Sequence, residues 1–121
     1  MANKIAIVED DVAIVQMYRM KFEAEGYTVQ TAGSGKEGLA MIESFSPDII
    51  LLDLMMPEMG GADMLEELRK QPWGKKTKVI ILTNMGESEA PAKVRQLGVE
   101  DFIVKADMTP KQVADKVKSL L

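Results

Sequence analysis

Five times in succession, a short apolar run is followed by a stretch of helical spacing, and this strict alternation constrains the chain more than any other feature. KIAIV, Lys4 to Val8, reads as a buried strand that stops at Glu9. From Val12 to Glu25, residues Ile14, Val15, Tyr18 and Phe22 keep a helical period, and Gly26 is a helix stop. YTVQTA, Tyr27 to Ala32, reads as the second strand. Ser34 and Glu37 form a capping-box sequence opening a helix to about Phe45, and Gly38 inside it has no local explanation. DIILLD, Asp48 to Asp53, is the most apolar run and reads as the central strand. Gly60 and Gly61 precede a helix carrying Met64, Leu65 and Leu68, which stops near Pro72 and Gly74. KVIILT, Lys78 to Thr83, is the fourth strand. A helix with Val94 and Leu97 then ends at Gly98, with Pro91 tolerable only in its first turn. DFIVK, Asp101 to Lys105, is the fifth strand. Thr109 as N-cap and Pro110 as first helical residue open the last helix, whose face is Val113, Val117, Leu120 and Leu121.

Such alternation requires a parallel sheet with helices on both faces. The expected fold is α/β: a flavodoxin-like, doubly wound, five-stranded parallel sheet in the order 2-1-3-4-5, with five helices. With 121 residues and no repeat, linker or low-complexity segment, a single domain spanning residues 1–121 is expected.

Composition narrows the chemistry. A net charge of −4 argues against direct nucleic-acid binding, which needs a basic surface. The absence of cysteine and histidine removes disulfides, thiolate chemistry, Cys or His metal sites and His-dependent catalytic arrangements. The N-terminus is too soon acidic for a signal peptide, and no apolar run reaches about 18 residues. No membrane insertion and a cytoplasmic location are therefore the expectation.

Ligands of open parallel sheets bind at the carboxyl ends of the strands. Here the first run ends in Glu9-Asp10-Asp11, the third in Asp53, the fourth in Thr83-Asn84 and the fifth in Lys105. Singly, each has an ordinary structural explanation: acids after a strand cap the next helix, a strand-end Thr follows β propensity, and a lone Lys is solvated. Collected on one rim, they form a site. Carboxylates crowded together repel, and at least one is pushed towards protonation unless a hard cation such as magnesium joins them. A Lys charge and a Thr hydroxyl suit phosphoryl oxygens, so the rim fits phosphoryl transfer. Without His, Cys or an activated Ser, the nucleophile is a carboxylate that forms an aspartyl-phosphate, and Asp53 on the central strand is best placed. This accounts for a charge that would otherwise be expensive within IILLDLMM.

The acidic pair in IAIVEDD, the aspartate in ILLDLMMPEMGG with Met56-Pro57 and Gly61 after it, the hydroxyl in VIILTN and the lysine in DFIVKA stand in a shared order and spacing. In these motifs the whole chain resembles a receiver domain of bacterial two-component response regulators. The resemblance implies roles position by position. Asp53 would accept the phosphoryl group. Glu9 and Asp10 would hold Mg²⁺ with Asp53 and the backbone carbonyl of Met55, Glu9 through water, leaving Asp11 as a helix cap. Thr83 and Lys105 would bind phosphoryl oxygens, and Phe102 would be the aromatic that switches with Thr83. The donor would be a histidine kinase or phosphotransfer protein. The fourth-helix, fifth-strand and fifth-helix surface would signal to a downstream protein, and the site would hydrolyse its own acyl phosphate without acting as an enzyme on other substrates. Some receivers pair through the fourth-helix to fifth-helix face, which leaves a homodimer open.

Three positions depart from the family pattern. Ala106 stands where proline is usual, so a trans bond is expected after Lys105. Asn84 replaces a small residue beside Thr83, and Gly60 should loosen the loop after Met59. Two rivals stay open. A magnesium-dependent phosphatase would carry an acid two residues after its nucleophile, where Met55 stands. A binding module that has lost phosphorylation would lack a site residue, and none is lacking. A flavin-binding protein is disfavoured by the acidic loop after the first strand. Trp73 follows the third helix, away from the expected rim.

Overall fold

A computed structural model of the chain describes residues 3–121. Its strands are β1 (Lys4–Val8), β2 (Thr28–Ala32), β3 (Ile49–Leu52), β4 (Lys78–Thr83) and β5 (Asp101–Val104). Its helices are α1 (Val12–Ala24), α2 (Gly35–Phe45), α3 (Gly61–Lys70), α4 (Ala92–Gln96) and α5 (Pro110–Leu120). The strands form one parallel sheet in the order β2-β1-β3-β4-β5, the architecture expected from the alternation.

Period-two alternation along each strand divides the core in two. Ile5, Ile7, Ile49, Leu51, Ile80, Leu82 and Ile103 face α1 and α5. Ala6, Val8, Ile50, Leu52, Val79 and Ile81 face the other side, against Ile42 of α2, Met64, Leu65 and Leu68 of α3, and Val94 of α4. Both faces of β3 are therefore buried, which is why its sequence is continuously apolar rather than alternating. Gly38 now has a reason: a Cβ there would lie 3.0 Å from Met64 Sδ and from Val8 Cγ1, so α2 packs closely on β1 and α3.

Several boundaries differ from the sequence expectation. Lys105 opens a 3-10 turn rather than closing β5. Tyr27 precedes β2, its N–H bonded to the Phe22 carbonyl. α4 is only five residues long, and Pro91 is its N-cap rather than a residue of its first turn. The proline holds Ala90 extended (ψ 147°), so the helix begins late. Leu121 is 39% exposed: it shares the spacing of the α5 stripe but is the C-cap residue beyond the helix, while Ala114 is buried instead. Ser34 caps α2 by accepting from the Glu37 N–H, without a return bond from Glu37 among the described residues. The reciprocal box occurs at α5, where Gln112 and Thr109 cap each other's N–H groups.

One side chain ties the far end of the sheet together. The Arg69 guanidinium donates to the carbonyls of Leu97 (3.1 Å), Gly98 (2.7 Å), Gly74 (2.8 Å) and Thr77 (2.8 Å), closing the ends of α3 and α4 around the start of β4. Arg69→Ala should destabilise the domain by about 2–4 kcal/mol, because several half-buried carbonyls lose a charged donor at once. Urea unfolding measures this, and a loss below about 0.5 kcal/mol would show that water replaces the guanidinium.

Candidate functional site

The sheet delivers the charged residues to one edge. The Asp53 N–H donates to the Val8 carbonyl (3.0 Å) and the Glu9 N–H to the Ala32 carbonyl (2.9 Å), so the ladder continues one residue past β1 and β3 and sets the two acids side by side. Asp11 caps α1 by accepting from the Ala13 and Ile14 N–H groups (3.0 and 3.2 Å). Its carboxylate serves the helix, as expected, and Asp10 remains at the rim. The loop from Asp53 to α3 is held rather than loose. The Gly61 N–H donates to the Leu54 carbonyl (3.1 Å), the Gly35 N–H to the Met59 carbonyl (3.0 Å) and the Met55 N–H to Asp53 Oδ1 (3.3 Å). A Cβ at Gly61 would run into the Asp53 carbonyl, so glycine is what lets α3 start against the acid-bearing strand.

Glu9, Asp53 and Thr83 are buried, at 5%, 6% and 0% exposure, while Asp10 is exposed. Each of Glu9, Asp10 and Asp53 offers a carboxylate oxygen lying within 4.8 Å of the others. This all-oxygen set, buried on one side and open on the other, fits a hard divalent cation such as Mg²⁺. Lys105 ion-pairs with Glu9 and lies 3.5 Å from Asp53 Oδ2. Thr83 Oγ1 accepts from the Met85 N–H (3.3 Å). An open cleft of about 210 Å³ is lined by Glu9, Asp10, Asp11, Ile14, Asp53, Met55, Thr83, Asn84 and Lys105. All but one of the residues expected from the sequence thus meet in one place. Phe102 is the exception: half-buried on β5, it lines separate grooves beside Glu87. The peptide bond after Lys105 is trans, as expected for Ala106. Trp73 lies past the C-terminus of α3, at the opposite end of the helix from Gly61 and the rim.

Burial, reinforced by the neighbouring Asp53, pushes the Glu9 carboxyl up to about 8. Burial acts on Asp53 in the same sense, but it is outweighed by hydrogen bonding from Glu9 and Thr83 and by the Lys105 charge, so Asp53 is held below its ordinary range. Burial thus raises the proton affinity of Glu9, which eases the crowding that the sequence implied. Glu9 binds its proton more tightly folded than unfolded. Its contribution to stability is full below its ordinary value of 4.5 and is lost as pH rises through about 8. Asp53 has the opposite sign, its contribution being lost as pH falls through its lowered folded value. The melting temperature of the metal-free protein should fall between about pH 5 and pH 8, and Glu9→Gln should flatten that slope. A slope unchanged by Glu9→Gln would place the proton elsewhere.

Lys105, at the rim as expected, holds Glu9 and Asp53. Sequence reasoning missed one feature. Tyr18, on the apolar face of α1, also lines a small pocket with Glu9, Asp53 and Lys105. Burial and then the Glu9 charge raise its phenol above the ordinary value. A helical stripe carries no sign of that proximity.

A family model described as response regulator receiver domain matches residues 5–118. The chain is 35% identical over its full length to the phosphate regulon transcriptional regulatory protein PhoB of Rhizobium meliloti, covering 53% of that protein. It is 36% identical over 98% of its length to the transcriptional regulatory protein ResD of Bacillus subtilis, covering 48% of it. It thus spans about half the length of these curated relatives. Among solved structures, a CheY-like response regulator receiver domain protein of Methanospirillum hungatei superposes with a TM-score of 0.89 at 31% identity, over 98% of this chain and 93% of that one. The chemotaxis response regulator CheY4 of Vibrio cholerae superposes with a TM-score of 0.90 at 28% identity over the whole of both chains.

Proposed function

The chain belongs to the response regulator receiver domain family of two-component systems, and from that premise we propose that it is a switch operated by phosphorylation of Asp53. The observation that carries this reading is the convergence of Asp53, Lys105, Thr83 and the Glu9-Asp10 pair on one cleft. A carboxylate oxygen of Asp53 attacks the phosphorus of a phosphohistidine on a histidine kinase or phosphotransfer protein. The phosphorus–nitrogen bond breaks and its electron pair stays on the donor imidazole. Lys105, 3.5 Å from Asp53 Oδ2, exchanges its carboxylate partners for a phosphoryl oxygen. Glu9, Asp10, Asp53 and the Met55 carbonyl would hold magnesium, which when bound neutralises charge on the phosphoryl oxygens. Thr83 offers its hydroxyl to another of those oxygens.

Water later hydrolyses the acyl phosphate at the same site. The chain acts on its own phosphoryl group alone and is not an enzyme towards other substrates. Residues 1–121 form a single receiver domain that works in the cytoplasm. Among the described residues no helix is long and apolar enough to cross a membrane.

The output surface comprises α4, β5 and α5, facing a downstream protein or a second copy. α4 is short and held by polar ties, Lys93 to Asp63 (2.6 Å) and Arg95 to Glu87 (2.6 Å), while Phe102 is only half-buried beside it. Such an element has two arrangements close in energy, which inward movement of Thr83 would bias. Amide NMR spectra before and after acetyl phosphate with Mg²⁺ test the switch. Shifts should extend from Asp53 to Thr83–Asn84 and Phe102–Ala106; shifts confined to the acid loop would contradict it. Lys105→Ala should slow phosphorylation by roughly tenfold or more, since one donor to the developing charge is lost, while magnesium still binds. Complete loss of magnesium binding would contradict the role given to Lys105.

A further inference from the structure

Away from the acidic rim, the connection from α3 to β4 concentrates positive charge. Five of the chain's 15 lysines and arginines fall within residues 69–78, and no acid occurs between Glu67 and Glu87. Three of the five are engaged. Arg69 donates to four carbonyls, Lys70 pairs with Glu67 (3.1 Å) and Lys78 donates to the Leu120 carbonyl. Lys75 and Lys76 are exposed, and neither ammonium has a hydrogen-bond or ion-pair partner among the described residues. Trp73 stands just before them and is 36% exposed.

The loop that carries these side chains is ordered. Arg69 holds the Gly74 and Thr77 carbonyls (2.8 Å each), and Thr77 Oγ1 donates to the Trp73 carbonyl (3.3 Å). A Cβ at Gly74 would strike the Leu68 carbonyl, so the turn is packed against the end of α3. An indole beside two free ammoniums on a fixed backbone is a preorganised anchor for an anionic partner, because little ordering is lost on binding. The charge of the whole molecule limits the size of that partner. At a net charge of −4, the rest of the surface repels a long nucleic acid or an anionic membrane. A short acidic segment senses only the patch. β4 separates the patch from Thr83 at the rim by six residues, or about 20 Å, more than twice the Debye length of about 8 Å at physiological salt. We propose that Trp73, Lys75 and Lys76 dock a short acidic segment of a partner protein, at the end of the sheet opposite Asp53.

Trp73 is the chain's single tryptophan, so its fluorescence reports on the patch directly. The probe is a peptide of about ten residues, glutamates with two leucines, titrated into the wild type and into the double variant Lys75→Glu, Lys76→Glu. A saturable change in emission is expected for the wild type. The charge reversal should weaken binding roughly tenfold or more, because attraction becomes repulsion at both positions, and added salt should weaken it in the wild type. Both substituted side chains are exposed, so the fold and phosphorylation by acetyl phosphate should be unchanged. No change in emission with the peptide, or equal affinity of the two proteins, would overturn the proposal. Tighter binding of single-stranded DNA or of phosphatidylserine vesicles in the same assay would also overturn it, and would assign the patch to a nucleic acid or a membrane surface.

Discussion

Asp53→Asn should take up no phosphoryl group from acetyl phosphate at any magnesium concentration, a loss on the order of a thousandfold or more by the scale of nucleophile removal. The amide has the shape of the carboxylate but neither its charge nor its nucleophilic oxygen. The fold should survive. Asp53 sits among Glu9, Asp10 and Lys105, and removing its charge relieves repulsion within the acidic cluster while Lys105 keeps Glu9 as partner. A folded, inert variant is therefore the expected result, measured as incorporation of labelled phosphate together with a melting curve. Full labelling at another residue would remove Asp53 from the mechanism.

The second large effect is one of packing. Gly61→Ala should destabilise the domain by about 2–4 kcal/mol, in the range of overpacking into a site that cannot yield. The added Cβ would strike the Asp53 carbonyl and lie 2.9 Å from Leu54 Cα. Both are backbone atoms of the segment that carries the nucleophile, so no flexible side chain can move aside. At this chain length the cost corresponds to a fall in melting temperature of roughly 6–20 °C. The folded fraction should also phosphorylate more slowly, because relief of the clash displaces Asp53. Gly33→Ala is the control: a Cβ there meets nothing within 4 Å and its effect should stay within about 0.5 kcal/mol. Equal stability of Gly61→Ala and the control would refute the close approach of α3 to β3.

The parallel sheet was legible because it follows from periodicity, and the strand order because 2-1-3-4-5 is the favoured arrangement of five doubly wound strands. Alternation fixes a parallel sheet, and the topology then fixes which edge receives Glu9, Asp53, Thr83 and Lys105. Asp11 could be separated from the acidic pair because an N-cap has a recognisable place in the chain. What periodicity does not carry is contact between distant residues. Gly38 looked like a misplaced helix breaker until Met64 and Val8 were seen against it. Arg69 is one basic residue among several in the sequence, and nothing local shows that four carbonyls from two connecting segments converge on it. Tyr18 keeps the spacing of a core residue and is one; its second face, towards Glu9, appears only when α1 is laid on the sheet. Leu121 errs the other way, since a stripe predicts burial past the point where the helix ends.

The central claim is that Asp53 accepts a phosphoryl group with magnesium as cofactor. Intact-protein mass spectrometry after incubation with acetyl phosphate, with and without Mg²⁺, tests it most directly. A single phosphoryl adduct that requires magnesium, maps to Asp53 and is lost to hydroxylamine as an acyl phosphate is the predicted result. An unmodified mass under every condition would contradict the account and leave a fold that binds its partners without the chemistry.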